Sequence, residues 1–357
     1  MLPSLMKESL LGKTLSQLLE ITNEMGLSKF TARQISDWLY KKEVLTIDEM
    51  TNLSKVGRQM LNERFEVGRK SPVTVQSSED GTKKYLYMVG EKGAIEAAYI
   101  PEQNRNTLCV SSQVGCKMRC LFCMTGKQGL QANLTAGEII NQVLSLPERE
   151  QLTNIVYMGM GEPMDNLEAV MASLQILTEP WGMNWAPKRI TVSTIGVIPA
   201  MHHFITTSKA HLAVSLHTPF EAERKMLMPV SHKYSIDDII TELKTQGFDR
   251  QRRVSFEYIV FSGLNDTPKH VKELARILNG VKCHVNLIRF HPIPNTPLQG
   301  TNEESLLAFK EALVSKGIFT TIRASRGQDI DAACGLLSTK AGKGLQSVET
   351  QKSILET

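Results

Sequence analysis

The sequence has few cysteines and no long apolar stretch, and both shortages restrict what the protein can be. Its 357 residues include six cysteines, which are too few for a disulfide-stabilised scaffold of this length. The longest apolar runs extend over only a few residues, so neither a membrane span nor a signal peptide is expected. We therefore expect a cytoplasmic protein without a membrane partner.

Charge is nearly balanced, and this weakens any inference about partners. The formal net charge is +4 at pH 7, which is compatible with a polyanionic partner but is common among enzymes that have none. With 41% hydrophobic residues, the chain can form one large core with a smaller appendage, or two modest domains.

Hydrophobic periodicity divides the chain into regions. Residues 1–70 have apolar residues at three- and four-residue spacings, which predict a small N-terminal helical domain. Residues 71–106 change to a period of two with turn-forming Asp-Gly and Lys-Gly pairs, and this predicts short antiparallel strands that link the two larger regions. Residues 107–340 form the main domain, and the tail 341–357 is expected to be flexible.

Short β-rich runs alternate with helical stretches throughout the main domain. This alternation predicts an α/β fold with βα units and a parallel sheet, either doubly wound or curved into a barrel. Several runs end in polar or glycine residues, at the edge where α/β folds place catalytic groups. The runs are TLCVSSQ, NIVYMGMGE, RITVSTIG, AHLAVSLH, RVSFEYIVFSG, CHVNLIRFHP and IFTTIRAS.

Three of the six cysteines are concentrated in GCKMRCLFCMTG. Cys116, Cys120 and Cys123 have the spacing Cys-x3-Cys-x2-Cys, and Phe122 places an aromatic ring just before the last one. A structural zinc site usually takes four protein ligands in two close pairs. Three cysteines can instead hold a 4Fe-4S cluster and leave one iron open for an outside ligand. We expect such a cluster, with buried or adventitious zinc-binding cysteines as the alternative.

Polar residues at the ends of later β-rich runs are candidates for binding a small ligand. Gly161 and Glu162 lie in MGMGEP, where glycine permits close approach and a carboxylate can accept hydrogen bonds from an ammonium group. Each candidate alone has an ordinary structural explanation, because polar residues are common at strand ends. Together they indicate a site. The other candidates, in STIG and SLH, are Ser193, Ser215, Leu216 and His217.

Three more cysteines lie outside the cysteine-rich motif. Cys109 precedes it in TLCVSSQVGC, Cys334 lies far along the chain in GQDIDAACGLL, and Cys283 fits the alternation of a strand in VKCHVNL. Without further information, all three are best treated as small hydrophobic residues.

Six motifs in order, CVSSQVGC, MGMGEP, STIGVIP, SLHTP, NLIRF and RGQDIDAACG, resemble the RNA adenine methyltransferases of the RlmN/Cfr family. This family is a branch of the radical S-adenosylmethionine (SAM) superfamily, and the resemblance extends from the N-terminal helical region to about residue 340. It implies a partial (β/α) barrel of the radical SAM type. It also implies one 4Fe-4S cluster on Cys116, Cys120 and Cys123, and two molecules of SAM per turnover.

The resemblance also implies roles for single residues. Cys334 matches the cysteine that is methylated, Cys109 the cysteine that later pairs with it in a transient disulfide, and Glu96 the acidic residue proposed as proton acceptor. His291 stands where the family commonly has asparagine, although imidazole can still hydrogen-bond SAM. The implied SAM contacts are Gly161, Glu162, Ser193, Ser215, Leu216, His217 and His291.

The implied activity is methylation of adenosine at carbon 2, in 23S ribosomal RNA at the peptidyl transferase centre and in tRNA next to the anticodon. The N-terminal helical domain is expected to bind the RNA, with basic stretches at 69–72, 92–106 and 249–253 as candidate phosphate contacts or simply solvated faces. A low-potential electron donor such as flavodoxin or ferredoxin is expected as a partner, and the protein is expected to be a monomer.

Three alternatives remain open. Methylation at carbon 8, within the same family, depends on how the base is seated. A glycyl-radical activase, which methylates nothing, shares the cluster but has no use for Cys109 and Cys334. A non-catalytic metal-binding RNA module leaves the polar residues at the strand ends unexplained.

Overall fold

A computed structural model describes residues 7–246 and 252–338. Its helices are α1 (Leu15–Glu24), α2 (Lys29–Asp37), α3 (Lys55–Arg64), α4 (Met124–Gln128), α5 (Ala136–Leu144), α6 (Leu167–Thr178), α7 (Ile198–Thr207), α8 (Glu221–Leu227), α9 (Ile236–Thr245), α10 (Pro268–Ile277) and α11 (Glu303–Ser315). Its strands are β1 (Glu8–Ser9), β2 (Phe65–Glu66), β3 (Thr74–Ser77), β4 (Lys83–Met88), β5 (Ala94–Glu102), β6 (Arg105–Cys109), β7 (Gln113–Val114), β8 (Ala132–Asn133), β9 (Asn154–Tyr157), β10 (Ile190–Thr194), β11 (His211–Ser215), β12 (Val254–Val260), β13 (Cys283–Arg289) and β14 (Thr320–Ile322). None of these helices is long and apolar enough to cross a membrane.

The chain forms two compact units. As far as the structure describes them, the first comprises Met1–Pro72, Leu134–Gln151 and Leu167–Pro187, and the second comprises the remaining segments. The first unit therefore contains α5 and α6 as well as the N-terminal helices. The domain boundaries expected from the sequence stay a prediction.

The helices of the first unit begin at residues that cap them. Thr14 and Gln17 form a capping box at α1, and the Ser28 and Ser54 hydroxyls accept hydrogen bonds from backbone N–H groups at the starts of α2 and α3. Each cap satisfies a donor that the first helical turn leaves without a partner, and such a cap contributes about 1 kcal/mol.

The core of the first unit is formed where these helices pack together. Leu18, Ile35 and Leu61 come from α1, α2 and α3 and are completely buried. The Ser36 hydroxyl donates to the backbone carbonyl of Trp181 at 2.7 Å. This bond ties α2 to the chain that follows α6, so the first unit depends on contacts between residues far apart in sequence.

The second unit is built on a ten-stranded sheet in the order β14-β13-β12-β11-β10-β9-β6-β5-β4-β3. Neighbours from β6 through β9 to β14 are parallel, and β3, β4, β5 and β6 pair antiparallel. Each of the seven β-rich runs contains one parallel strand, so the α/β prediction is confirmed. Among the described strands, β14 and β3 end the order without pairing with each other, which leaves the curved sheet of a partial barrel open.

The parallel strands bring the site candidates to one edge. Glu162 follows β9, Ser193 is the residue before the last one of β10, Ser215 ends β11, and His291 follows β13. Carboxyl ends of parallel strands meet at the same edge of a sheet, where α/β folds bind their ligands. Residues that are far apart in the sequence are therefore gathered on one side of the second unit.

Candidate active site

The cysteine-rich loop lies between β7 and β8, which form a separate two-stranded sheet. These short strands pair antiparallel and hold the two ends of the loop together. Gly115 begins the loop with φ of 75°, and an added Cβ would lie 1.8 Å from the carbonyl oxygen of Gly129. The loop can fold back on itself only because residue 115 has no side chain.

The loop gathers its three thiols in a largely buried position. Cys116 and Cys120 are buried and Cys123 is half-buried, and the negative charge on one thiolate would oppose ionisation of the others. Burial raises the pKa of Cys116 to about 12 and also raises the pKa values of Cys120 and Cys123. The thiols are therefore neutral at pH 7 unless a cation binds and displaces their protons.

This donor set fits an iron-sulfur cluster better than a single metal ion. Among the described residues, no group of three or more His, Cys, Asp or Glu side chains is arranged to hold one ion. A 4Fe-4S cube places each thiolate on a different iron, so its ligands need not converge on one point. Three neighbouring thiols thus suit a cluster with one open iron.

A second segment lies against this loop. We call residues 334–338 the Cys334 segment. The backbone N–H of Met124 donates to the Gly335 carbonyl at 2.8 Å, and the Thr125 hydroxyl donates at 2.7 Å to the carbonyl two residues further on. Both donors belong to α4, which begins directly after the last cysteine of the loop. A thiol from the far end of the chain is therefore held beside the cysteine-rich loop.

Glu162 lies buried beside the loop. Its Oε1 accepts from the backbone N–H of Met164 and its Oε2 from that of Ile195, each at 3.0 Å. Burial nevertheless raises the pKa of Glu162 to about 7, and its charge acts on the thiols of Cys116 and Cys120. A cation bound at this carboxylate would favour the ionised form, which suits an acceptor for an ammonium group.

Gly161 makes the position of Glu162 possible. It has φ of 101°, and an added Cβ would lie 2.6 Å from the Cβ of Gln113. The Gln113 side chain in turn accepts a hydrogen bond from the backbone N–H of Glu162 at 2.9 Å. Glycine thus allows the turn after β9 to press against β7 and brings the carboxylate to the loop.

The candidates on β10 and β11 differ in exposure. Ser193 and Ser215 are half-buried, so their hydroxyls remain available to a ligand. Leu216 is buried, and its backbone N–H donates to the Glu257 carbonyl at 3.0 Å. Leu216 can therefore contact a ligand through packing or its carbonyl oxygen, but not through this N–H.

His217 is a buried, neutral donor. Its Nδ1 accepts from the backbone N–H of Ile259 at 3.0 Å, and burial lowers its pKa to about 3. The proton of the neutral ring therefore lies on Nε2, which leaves one N–H group to donate. The ring also packs edge-on against Phe122, with the ring centres 4.6 Å apart, so His217 fixes the aromatic residue of the cysteine motif.

A cavity of about 1200 Å³ in the second unit is lined by both Cys109 and Cys334. Cys109 is buried at the end of β6, between Ala98 of β5 and Val156 of β9, whereas Cys334 is exposed. Burial raises the pKa of Cys109 to about 12, and neighbouring Arg323 acts in the opposite direction. All six cysteines lie in the described part of the chain and all are free, so the structure does not support a disulfide.

Two other predicted residues also line this cavity. Cys123 reaches it from the loop, and His291 reaches it from the end of β13. His291 is half-buried, and burial lowers its pKa, so the ring is neutral at pH 7. The cavity thus brings together His291, one cysteine of the loop and the three cysteines outside it, Cys109, Cys283 and Cys334.

Glu96 is placed differently from the other candidates. It is buried on β5 and is not among the described residues that line the cavity. Its Oε1 lies 3.2 Å from Lys84 Nζ, and its Oε2 accepts from the backbone N–H of Ser338 at 2.9 Å. Burial raises the pKa of Glu96, while Lys84 opposes the shift. The carboxylate is therefore held between β4 and the Cys334 segment.

Sequence analysis missed Arg323, which follows β14. Its guanidinium lies 3.3 Å from the Glu257 carboxylate and 3.4 Å from the Met158 sulfur, and it lines the cavity. Its charge interacts with the thiols of Cys109 and Cys334. The available signal was its position at the end of the last β-rich run, which is the same signal that identified the other strand-end residues.

Arg224 of α8 was missed as well. It is buried and donates to the carbonyls of Ile195 and Ser215 and to the Ser231 hydroxyl. Burial lowers its pKa to about 10, so it stays charged at pH 7. The side chain joins the ends of β10 and β11. The sequence signal was its spacing of three residues from Leu227, which places both on one face of the helix.

Two of the basic stretches that are candidates for phosphate contacts contain arginines bonded within the protein. Arg69 and Arg252 donate to the backbone carbonyls of Glu43 and Ile205 at 2.8 and 2.6 Å, so these guanidinium groups are engaged by the fold itself. Residues 249–251 of the third stretch and the tail 341–357 lie outside the described residues.

Comparison with known proteins agrees with this geometry. Residues 110–278 match the model of the radical SAM superfamily, and residues 8–67 match the model of the ribosomal RNA large subunit methyltransferase N-terminal domain. A probable dual-specificity RNA methyltransferase RlmN from Phocaeicola vulgatus is 54% identical over 333 residues, covering 93% of this chain and 95% of that protein. The dual-specificity RNA methyltransferase RlmN from Desulfotalea psychrophila is 40% identical over 335 residues, covering 90% and 92%.

A solved structure confirms the architecture. The crystal structure of a radical SAM methyltransferase from Sphaerobacter thermophilus superposes with a TM-score of 0.87 at 40% identity, covering 93% of this chain and all of that chain. The open sheet is therefore the partial (β/α) barrel of a radical SAM enzyme, whose cofactors are a 4Fe-4S cluster and SAM. The chain belongs to the RlmN family of radical SAM methyltransferases.

Proposed function

We propose that the protein methylates carbon 2 of adenosine in RNA through a methyl group carried by Cys334. The observation that carries the proposal is the placement of Cys109 and Cys334, two thiols outside the cluster loop, in one cavity that Cys123 also lines. A radical SAM enzyme that only generates a radical has no need for such a pair.

The RNAs proposed are 23S ribosomal RNA, at the peptidyl transferase centre, and tRNA, next to the anticodon. The matched ribosomal RNA methyltransferase domain at residues 8–67 and the dual-specificity names of the relatives support this choice. The cavity of about 1200 Å³ is large enough for a nucleoside. The target base would have to leave its stack to enter it.

The cofactors are assigned to two sets of residues. Cys116, Cys120 and Cys123 would hold the cluster, and when bound with SAM it supplies the radical that removes a hydrogen atom from the methyl group on Cys334. The chain buries Cys116 and Cys120, leaves Cys123 half-buried at the cavity, and places the Glu162 carboxylate beside the loop. We propose that an electron donor such as flavodoxin or ferredoxin serves the protein. The proposed SAM contacts are Gly161, Glu162, Ser193, Ser215, Leu216, His217 and His291.

The proposed chemistry at Cys334 has two stages. Its thiolate first attacks the methyl group of one SAM molecule, so that a sulfur–methyl bond forms and S-adenosylhomocysteine leaves. A second SAM molecule is consumed when the hydrogen atom is removed. The resulting methylene carbon then bonds to carbon 2 of the adenine. This leaves the RNA covalently joined to the Cys334 sulfur.

Release of the product uses Glu96 and Cys109. The adduct is a radical and must lose one electron and the ring proton; the cluster, when bound, would take back the electron, and we assign the proton to Glu96. Cys109 then attacks the Cys334 sulfur, the sulfur–sulfur bond forms as the sulfur–carbon bond breaks, and the released carbon takes a proton to become the methyl group. The resulting disulfide is transient and is reduced by cellular thiols before the next turnover. The backbone N–H of Ser338 donates to one oxygen of Glu96, so uptake of the ring proton by this carboxylate weakens a bond that holds the Cys334 segment.

Mass spectrometry of nucleosides from cells with and without the gene tests the proposal. We expect 2-methyladenosine in both 23S ribosomal RNA and tRNA only when the gene is present. Loss of 8-methyladenosine instead would assign the protein to the carbon-8 reaction. RNA that shows no change in either modification would overturn the proposed function.

A further inference from the structure

A buried ion pair lies behind the Cys334 segment. Lys84 of β4 and Glu96 of β5 lie on the same face of the sheet, because Lys84 is paired with Ala98 and Leu86 is paired with Glu96. The two charged side chains are only 9% and 3% exposed. A pair this well buried has a high desolvation cost and therefore needs a structural or functional explanation.

The carboxylate of this pair has a different partner for each oxygen. Lys84 Nζ lies 3.2 Å from Oε1, and the backbone N–H of Ser338 donates to Oε2 at 2.9 Å. Ser338 ends the Cys334 segment, whose other anchors are on α4. Glu96 therefore connects the segment to the antiparallel part of the sheet, independently of the cysteine-rich loop.

The charge on Glu96 depends on Lys84. Burial, the largest influence, raises the pKa of Glu96, and nearby Asp331 raises it further, whereas Lys84 and the Ser338 N–H lower it. Lys84 is the cation whose field favours the carboxylate, and Asp331 is the anion that opposes it. Without Lys84, Glu96 would be protonated at higher pH, and Ser338 would lose a charged acceptor, which is the stronger kind of hydrogen-bond partner.

We propose that Lys84 is a positioning residue that holds the Glu96 carboxylate in place and thereby anchors the Cys334 segment against the sheet. The anchor itself does not depend on the proposed function. Its consequence for catalysis does, because a proton delivered to Glu96 removes the attraction of Lys84 and weakens the Ser338 bond. The segment is then released when the Cys334 sulfur must become accessible to Cys109.

Hydrogen exchange measured by mass spectrometry on the cluster-loaded full chain tests the anchor. In K84M, amide hydrogens of the Cys334 segment should exchange about 10- to 100-fold faster near neutral pH, the range expected when a hydrogen bond loses a charged partner. K84R keeps the positive charge and should stay within about threefold of the parent protein. K83M removes the next lysine of β4, on the opposite face, and should leave the segment unchanged.

The pH dependence separates a positioning role from general loosening. The docked segment favours ionised Glu96, so protection should be lost as pH falls through the pKa of Glu96, after correction for intrinsic exchange. In K84M the protection of the segment should be lost at higher pH than in the parent protein. In E96Q the protection should not change as pH falls through this range.

Iron content and exchange elsewhere in the sheet report whether each variant is folded. If K84M does not fold, E96Q still tests the anchor, because it removes the charge without removing the side chain. Parent-like exchange of the Cys334 segment in folded K84M or E96Q would overturn the proposal. This readout needs no RNA, so its failure is distinct from failure to form 2-methyladenosine.

Discussion

The protein contains two groups of thiols to which we assign roles in catalysis, and they are positioned in different ways. Cys116, Cys120 and Cys123 lie within one loop, whose ends are paired and whose turn requires glycine. Cys109 is buried at the end of β6 and Cys334 is exposed in the Cys334 segment, and both line one cavity. The first group is fixed by local spacing, and the second exists only after the whole sheet has formed. Substitutions in the two groups should therefore impair the protein in different ways.

The largest effect is expected in the loop. Replacing Cys116, Cys120 or Cys123 by alanine removes one of three ligands, so the anaerobically reconstituted protein should lose its iron, its iron-sulfur absorbance and all SAM cleavage. Iron and sulfide analysis with absorption spectroscopy measures this. The parent protein should bind about four irons. A tightly bound stoichiometric zinc with no iron in the parent would contradict the assignment.

Replacing Cys109 or Cys334 should abolish turnover but leave the cluster assembled. Cys334→Ala should bind iron and SAM but acquire no methyl group and form no RNA adduct, because the methyl carrier is missing. Cys109→Ala should become methylated at Cys334, add to its adenosine and stop, because no thiol is left to release the product. Nuclease digestion followed by peptide mass spectrometry locates the adduct.

The two variants also test each other. A Cys109→Ala protein that turns over without accumulating an adduct would show that this buried thiol is only part of the core. A Cys334→Ala protein that still methylates RNA would remove the carrier mechanism altogether, whatever the state of the cluster.

The contrast between the two groups also explains what sequence reasoning can reach. The loop spacing and the strand ends at Glu162 and Ser215 are local patterns, and the structure places them at one edge of the sheet as expected. Hydrophobic alternation likewise predicted the seven parallel strands. These features depend on residues that are neighbours in the sequence, so one sequence is enough to find them.

Features that depend on packing between distant segments could not be predicted from the sequence. Nothing local indicates that Lys84 pairs with Glu96, or that Ser338 donates to the same carboxylate. The compact first unit gathers α5 and α6 with the N-terminal helices, although periodicity assigned both helices to βα connections of the main domain. In each case the contact forms only when distant segments are buried together in the folded chain. The spacing of residues along the sequence carries no information about such contacts.

A smaller effect is expected at Glu162, which lies between a strand end and the loop. Glu162→Gln keeps an oxygen acceptor but loses the charge, so the affinity for SAM should fall about 10- to 100-fold while the cluster stays assembled. Because the pKa of Glu162 is raised to about 7, SAM affinity of the parent should fall as pH is lowered through that value. The variant should lack this dependence.

Equilibrium SAM binding to the reconstituted protein at several pH values measures both expectations. Glu273→Gln is a suitable control, because this carboxylate pairs with Arg276 on an exposed part of α10. Equal SAM affinity in the parent and in Glu162→Gln would show that the carboxylate is structural and that the ammonium group binds elsewhere.

The smallest effect is expected at Cys283, which lines the same cavity as Cys109 and Cys334. It is half-buried at the start of β13, and burial raises its pKa to about 12. A neutral thiol at the amino end of a strand is far from the edge where the other candidates meet, so Cys283→Ala should change turnover by no more than about twofold, with a stability loss of about 1 kcal/mol or less. Single-turnover methylation and thermal unfolding measure the two effects. A loss of activity comparable to that of Cys109→Ala would mean that the cavity uses a third thiol, and that position along the strand does not separate reactive cysteines from structural ones.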